Sequence, residues 1–358
     1  MNGRTPLIGT WFEGANPSSL AITTFALHLV FLLSLFASSA LAQQTLVVVG
    51  VGSTVPAPLY AAWSREYGKQ HAGVQIRYVP LGAEEGIKQV SRGTGDFSAG
   101  ELPLSEKELD QDHLVEVPVA IIGIVPIYNV PHLQQELRLS GEVLAEIYLG
   151  SIKNWRAPQI SKLNPGTELP DLPIKVVQRP AGKGSNYVFT DFLSKSNAKF
   201  RSQIGTGLSP KWPVGEPAER SADMAAKVKS EVGSIGFVEY QYAAKNGIQQ
   251  ALVLNPAGKF VKASSRTLVA ACESVEAPEW HRLTASLVNA HGADSYPLTS
   301  FTWVYFPAKS SDPTRTSAIV NLFSWVYSDG QTIAEQEGYA GLPSQLVSEA
   351  RKRLAELR

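Results

Sequence analysis

Apolar runs alternate with amphipathic stretches along this chain, and that alternation predicts an α/β fold. The run Gln44–Gly50 is continuous and rich in β-branched residues, which is typical of a buried strand. A glycine-containing turn at Gly50–Thr54 follows, and Pro56 then stands where a first helical residue is expected. The stretch Ala57–Tyr67 predicts a helix, because four large side chains recur on one face: Leu59, Tyr60, Trp63 and Tyr67.

The next elements continue the same order. Val74–Val79 predicts a second strand, which runs into a loop at Gly82–Gly86 and a helix at Ile87–Val90. Phe97–Gly100 predicts a third, short strand that ends at Glu101. Later in the chain the same patterns predict helices at Ser140–Leu149 and Thr316–Tyr327 and strands at Ile174–Gln178, Gly233–Tyr240 and Tyr296–Phe306.

One long apolar stretch, Val115–Val130, needs a separate interpretation. It is interrupted by Pro118 and Pro126, and it is too short and too broken to cross a membrane. We therefore expect a strand that leaves one domain and enters another.

The turn Arg179–Ser185 has the chemistry of an anion site. It lies between the strand Ile174–Gln178 and a predicted helix at Asn186–Leu193, so unpaired backbone N–H groups and the helix dipole meet there. Arg179 and Lys183 would add two positive charges. The alternative is a plain strand-to-helix connection with a solvated lysine, and the spacing is not that of a Walker loop.

Two further strand-to-helix junctions offer similar donors. They are Ser53–Thr54 and Gly82–Gly86, and the acidic Glu101 stands at the end of a neighbouring strand. Ligands of α/β proteins bind at the carboxyl ends of the strands. We therefore expect these positions to converge with Gly182–Ser185 on one small anion.

Composition narrows the function classes. The 358 residues carry 32 basic and 32 acidic side chains, and a net charge of zero argues against nucleic acid as a partner. Six histidines and one cysteine, without metal-binding spacings, predict neither a metal site nor a cofactor, and Cys272 has no partner for an internal disulfide. The length predicts two domains.

The N-terminal 42 residues have the pattern of an export signal. An apolar core at Leu20–Ala37 precedes the small residues Ser38–Ala42, which predicts cleavage after Ala42 and a mature chain that starts at Gln43. The long region before the core leaves a misassigned start codon or an uncleaved anchor as alternatives. The residue directly after the cleavage site is Gln43 and not cysteine, so we expect a periplasmic protein without a lipid anchor.

An ordered series of motifs resembles the periplasmic phosphate-binding proteins of ABC transporters, the PstS type. The motifs are Gly50–Tyr60, Ile147–Trp155, Leu163–Gly166, Tyr187–Thr190, Gly205–Gly207 with Trp212–Pro213, Gly233–Tyr240 and Tyr339–Pro343. The resemblance implies a monomeric type II-like clamshell of two domains, each a mixed sheet flanked by helices, joined by two crossing segments. The domains would be residues 43–120 with 296–358, and residues 121–295.

The resemblance also implies a ligand site for inorganic phosphate, delivered to a membrane permease. Donors would be Thr54, the backbone of Val55, Arg179, the backbone of Gly184, and Ser185. Glu101 stands where the family has an aspartate that accepts the proton of hydrogen phosphate, a proton that sulfate lacks. Further candidates are Ser53, Ala83, Glu84 and Lys183.

Several positions depart from the family pattern. Ala83 and Lys183 each replace a serine, and Ala181 replaces the aspartate that normally pairs with the arginine. We therefore expect Arg179 to have more positive charge available for the ligand. Glu84 or Glu85 would either pair with Lys183 or lie in solvent with it.

These features favour a binding protein without catalytic residues. The alternatives are a receptor or sensor retuned to sulfate, arsenate or a phosphate ester, and a secreted phosphate-ester hydrolase. The sequence argues against the hydrolase, because it has no metal-ligand cluster, no nucleophile elbow, and no histidine near Arg179 or Ser185 in the chain.

Overall fold

The structure is a computed structural model, and it describes residues 45–275 and 286–357. The predicted export signal at residues 1–42 lies outside the described residues. Within those described, every helix is too short or too polar to span a lipid bilayer.

Strands and helices alternate along the chain, which confirms the α/β prediction. The strands are β1 Leu46–Gly52, β2 Val74–Pro80, β3 Phe97–Gly100, β4 Leu114–Tyr128, β5 Arg138–Leu139, β6 Lys175–Gln178, β7 Glu216–Pro217, β8 Ser234–Glu239, β9 Leu252–Leu254, β10 Phe260–Val261 and β11 Thr299–Pro307. The helices are α1 Ala57–Gln70, α2 Ala83–Ser91, α3 Glu106–Asp112, α4 Gly141–Tyr148, α5 Pro158–Leu163, α6 Gly184–Ser196, α7 Ala198–Gln203, α8 Ser221–Ser230, α9 Tyr240–Lys245, α10 Ser265–Glu273, α11 Pro313–Val326, α12 Asp329–Gln336 and α13 Ser344–Leu354.

Eight of the strands form one mixed sheet in the order β2-β1-β3-β11-β4-β8-β6-β7, and β10, β9 and β5 form a smaller one. Strand β1 lies parallel to β2 and β3, and β6 lies parallel to β7 and β8. Between these two parallel groups, β11 and β4 run antiparallel to their neighbours. We call the part of the chain around β1–β3 the first lobe and the part around β6–β8 the second lobe.

Strand β4 connects the two lobes, as predicted for the long apolar stretch. All fifteen of its residues are buried. Its first part, Leu114–Gly123, pairs with β11, and its last part, Ile124–Tyr128, pairs with β8. The separate sheets expected for the two domains are therefore joined through β4 into one, while the division at residues 120 and 296 stays a prediction.

Two predicted boundaries near the candidate site were wrong. Strand β1 continues to Gly52, because that residue pairs with β2 on one side and β3 on the other. Only glycine fits there, since an added Cβ would lie 2.2 Å from the Ala99 carbonyl oxygen. Helix α2 begins at Ala83, so most of the predicted loop Gly82–Gly86 is its first turn.

Burial of apolar side chains holds α1 on the sheet as its pattern predicts. Leu59, Tyr60, Trp63 and Tyr67 are all buried. The Trp63 indole N–H also donates to the Gly330 carbonyl at 2.8 Å, which ties α1 to the start of α12.

The carboxyl group of Glu116 on β4 makes the stability of the fold depend on pH. Burial raises its pKa to about 8, against the opposing effect of the Leu104 N–H, which donates to Oε2 at 3.0 Å. The folded state therefore holds a proton that the unfolded state releases near its ordinary pKa of 4.5. Stability falls as pH rises between those two values, because the unfolded state then binds fewer protons.

We expect Glu116→Gln to reduce this decline, because glutamine keeps an acceptor for the Leu104 N–H but does not ionise. Urea unfolding of both proteins between about pH 5 and pH 9 measures the difference. The free energy of unfolding should fall less steeply with pH in the variant, and parallel curves would contradict the assignment.

Candidate functional site

Three helices begin at strand ends that face the cleft between the lobes, because β1–β3 run opposite to β6–β8 and their carboxyl ends point towards each other. Helices α1, α2 and α6 follow the carboxyl ends of β1, β2 and β6, and none has a side-chain cap from the described residues. The first N–H groups of a helix have no partner within it, and the helix dipole makes this end partially positive. Such ends favour an anion.

The structure brings Glu101, Ser53 and Gly184 into direct contact. A Cβ placed on Gly184 would lie 1.4 Å from Glu101 Oε2 and 3.1 Å from Ser53 Oγ. The carboxylate of the first lobe therefore packs on the first residue of α6 in the second lobe. These three positions converge as the sequence predicts, with the lobes closed on each other.

Glu101 is a buried acid whose two oxygens lack hydrogen-bond partners among the described residues. Burial, with a smaller contribution from the charge of Glu239, raises its pKa to about 8 against the opposing effect of the Ser53 side chain. Buried polar groups are almost always paired in folded proteins. The orphaned oxygens therefore mark a place where a ligand that can hydrogen-bond to the carboxyl group fits.

The loop after β1 is held firmly beside Glu101. Ser53 is buried, its backbone N–H donates to the Ala99 carbonyl at 2.8 Å, and its hydroxyl accepts the Val55 N–H at 3.2 Å. The hydroxyl groups of Tyr78 and Tyr339 donate to the Ser53 and Val55 carbonyls, each at 2.8 Å. Thr54 lies half-buried between these fixed residues.

Arg179 is fully buried and already has an acidic partner. Its guanidinium contacts Glu239 Oε1 at 3.3 Å, the Ser221 hydroxyl at 2.6 Å and the Glu219 carbonyl at 3.0 Å. Ser221 also donates to the other oxygen of Glu239. Only Nε of Arg179 is without a partner among the described residues.

The expectation that Arg179 lost its partner with Ala181 was therefore wrong. Glu239 supplies the missing carboxylate from the end of β8, a strand that lies beside β6 in the sheet. Sequence reasoning missed Glu239, Ser221 and Glu219. The available signal was the motif Gly233–Tyr240, which places an acid at the carboxyl end of a buried strand.

The remaining candidates separate into two groups. Ala83, Gly184 and Ser185 are buried at the first turns of α2 and α6. Lys183 is mostly buried and pairs with Glu219 at 3.0 Å, so it is neither solvated nor paired with Glu84 or Glu85. Glu84 binds Lys88 instead, and Glu85 accepts from Gln89.

Comparisons with known proteins match this chain to phosphate-binding proteins and to one protein superfamily. Residues 37–330 match the PBP superfamily domain. The chain is 36% identical over 314 residues to the phosphate-binding protein PstS of Pasteurella multocida, covering 87% of this chain and 91% of that protein. It is 35% identical over 302 residues to PstS of Haemophilus influenzae, with 84% and 90% covered.

A solved structure has the same fold. It is a high-affinity periplasmic phosphate-binding protein, PfluDING, bound with phosphate. It superposes with a TM-score of 0.65 at 20% sequence identity, covering 86% of this chain and 93% of that one.

We expect the Arg179–Glu239 pair to be needed for folding, because removal of one partner leaves a buried charge uncompensated. Glu239→Ala should lower the free energy of unfolding by about 3–5 kcal/mol. Ser221→Ala removes a neutral donor and should have a smaller effect, about 1–3 kcal/mol. Urea unfolding at neutral pH measures both, and equal small losses would show that the pair is not critical.

Proposed function

The chain belongs to the PstS family of phosphate-binding proteins, within the PBP superfamily, and on that premise we propose that it captures inorganic phosphate between its two lobes. In this proposal the protein is a periplasmic monomer, and it delivers the anion to the permease of an ABC transporter. Because the members of this family are binding proteins, the chain is a receptor and not an enzyme. The observation that carries the proposal is the buried, unpaired Glu101 carboxyl group beside the uncapped start of α6.

Helix starts and a few side chains supply the donors in this proposal. The backbone N–H group of Gly184 and the hydroxyl groups of Thr54 and Ser185 bind phosphate oxygens, and the Val55 N–H exchanges its bond to the Ser53 hydroxyl for one to phosphate. Arg179 contributes the orphaned Nε and its positive charge, which Glu239 partly offsets. Closure of the two lobes removes water from the ion, so that these hydrogen bonds become charge-assisted and strong.

Glu101 provides the discrimination against sulfate. Hydrogen phosphate brings its own proton, which the carboxylate accepts. Sulfate brings none at neutral pH, so it binds only when Glu101 itself is protonated. Because the pKa of Glu101 is raised to about 8, most of the acid is protonated at neutral pH in the free protein, and the discrimination becomes strong above about pH 8.

A receptor retuned to another oxyanion is the second candidate. Ala83 contributes no hydroxyl group, and Lys183 is held by Glu219 at 3.0 Å instead of serving as a free cation. Each lost hydroxyl donor weakens phosphate binding by about 1 kcal/mol. Arsenate, which has the same shape and protons as phosphate, and phosphate esters are the ligands this candidate predicts.

Calorimetric titration of the protein without its leader against phosphate, sulfate and arsenate tests the proposal. At about pH 9, where Glu101 is mostly ionised, we expect phosphate to bind with a dissociation constant below about 1 μM and sulfate to bind far more weakly. Phosphate binding weaker than about 100 μM would reject the phosphate receptor, and tight binding of another oxyanion would support the retuned one.

The pH dependence of sulfate binding tests the role of Glu101. Above about pH 8 we expect sulfate affinity to fall roughly tenfold per pH unit, because the protonated acid disappears, while phosphate affinity falls less. Glu101→Gln keeps a donor and an acceptor but does not titrate. Above about pH 8 it should narrow the affinity gap between phosphate and sulfate and abolish the pH dependence of sulfate binding, and unchanged selectivity at that pH would exclude this role.

A further inference from the structure

A contact between the lobes at the rim of the cleft involves residues outside the proposed anion site. Glu84, in the first turn of α2, accepts a hydrogen bond from the Ser209 hydroxyl at 2.7 Å. Ser209 belongs to the second lobe and lies 125 residues further along the chain. The same hydroxyl oxygen accepts the backbone N–H of Gly182 at 3.0 Å. Ser209 thus connects α2 to the turn that precedes α6.

The backbones of the two lobes also meet at this place. A Cβ on Gly82 would lie 3.0 Å from the Gly182 carbonyl oxygen, and the same oxygen lies 3.5 Å from the Glu84 backbone nitrogen. Both glycines have positive φ, 109° and 81°, so they turn the chain without a side chain between the lobes. Any opening of the cleft must separate this contact.

The carboxylate of Glu84 is suited to accept the hydrogen bond from Ser209 throughout the neutral pH range. Lys88 binds its other carboxylate oxygen at 2.7 Å, and Lys88 and Ser209 together lower the pKa of the Glu84 carboxyl group. Its place in the first turn of α2 also stabilises a negative charge. It therefore stays ionised at neutral pH, and the hydrogen bond from Ser209 is charge-assisted.

We propose that Glu84 and Ser209 form a latch that holds the closed cleft and slows release of the bound anion. The latch rests on the proposed phosphate function, but its residues do not touch the anion in that proposal. Because the contact exists only after closure, it acts on the dissociation rate and leaves the association rate nearly unchanged. Glu84 and Ser209 are positioning residues, since they act through the Gly182 turn that leads to Gly184.

Release of radiolabelled phosphate into excess unlabelled phosphate measures the latch. We expect Glu84→Ala and Ser209→Ala each to speed release about tenfold, the factor for one hydrogen bond to a charged group. The double variant should release no faster than either single one, because both remove the same bond. In Ser209→Ala the Gly182 N–H keeps its bond to the Leu208 carbonyl, at 2.9 Å.

Glu85→Ala is the matched control. Glu85 is the neighbouring acid on α2, and it accepts a hydrogen bond from Gln89 on its own helix at 2.9 Å. The Glu85→Ala variant should release phosphate at the same rate as the unmodified protein. Unchanged rates in the Glu84 and Ser209 variants, equal acceleration in the Glu85 variant, or additive effects in the double variant would overturn the latch.

If the unmodified protein binds no phosphate, the proposed function fails and the latch is judged on closure alone. Small-angle scattering then compares the radius of gyration of the three single variants. A larger radius for Glu84→Ala and Ser209→Ala than for Glu85→Ala supports the latch, and equal radii reject it.

Discussion

The contact between the Glu101 carboxyl group and the first residue of α6 is the constraint on which the site depends. A carboxyl group with no hydrogen-bond partner among the described residues is costly to bury, and here it lies where two lobes of one sheet close on each other. Three helices without side-chain caps among the described residues begin on the same side of the lobes, and their positive ends favour an anion. In the proposed function, an anion that carries a proton satisfies both sides at once, because it accepts from the helices and donates to the ionised Glu101.

The charges around the site are balanced more closely than the number of basic side chains indicates. Arg179 is paired with Glu239, and Lys183 with Glu219. The attraction for an anion therefore comes largely from oriented backbone dipoles and from the fraction of the Arg179 charge that Glu239 does not cancel. Such a site recognises the protons and hydrogen-bond directions of its ligand more than its charge.

Much of the fold was predictable from the sequence, because it depends on local patterns. The β-branched runs of β1 and β4 and the aromatic face of α1 specify buried elements by themselves. The end of β1 at Gly52 and the start of α2 at Ala83 were not predictable in this way. Both depend on the backbone of β3 and its neighbours, which approach closely only after the sheet has formed.

The sequence predicts which site residues lie together at the strand ends. It does not predict the ion-pair partners of the charged side chains. Ser53, Glu101 and Gly184 converge because the carboxyl ends of β1 and β3 face the carboxyl end of β6 across the two lobes. The partners of Arg179 and Lys183 come from residues 36 to 60 positions further along the chain, and no local spacing indicates them. The most direct test of the central claim is the carbon-13 NMR titration of the Glu101 carboxyl signal, assigned by its absence in Glu101→Gln. The account predicts a midpoint near pH 8 without ligand and a changed signal with phosphate. A midpoint near the ordinary value of 4.5, unaffected by phosphate, would contradict it.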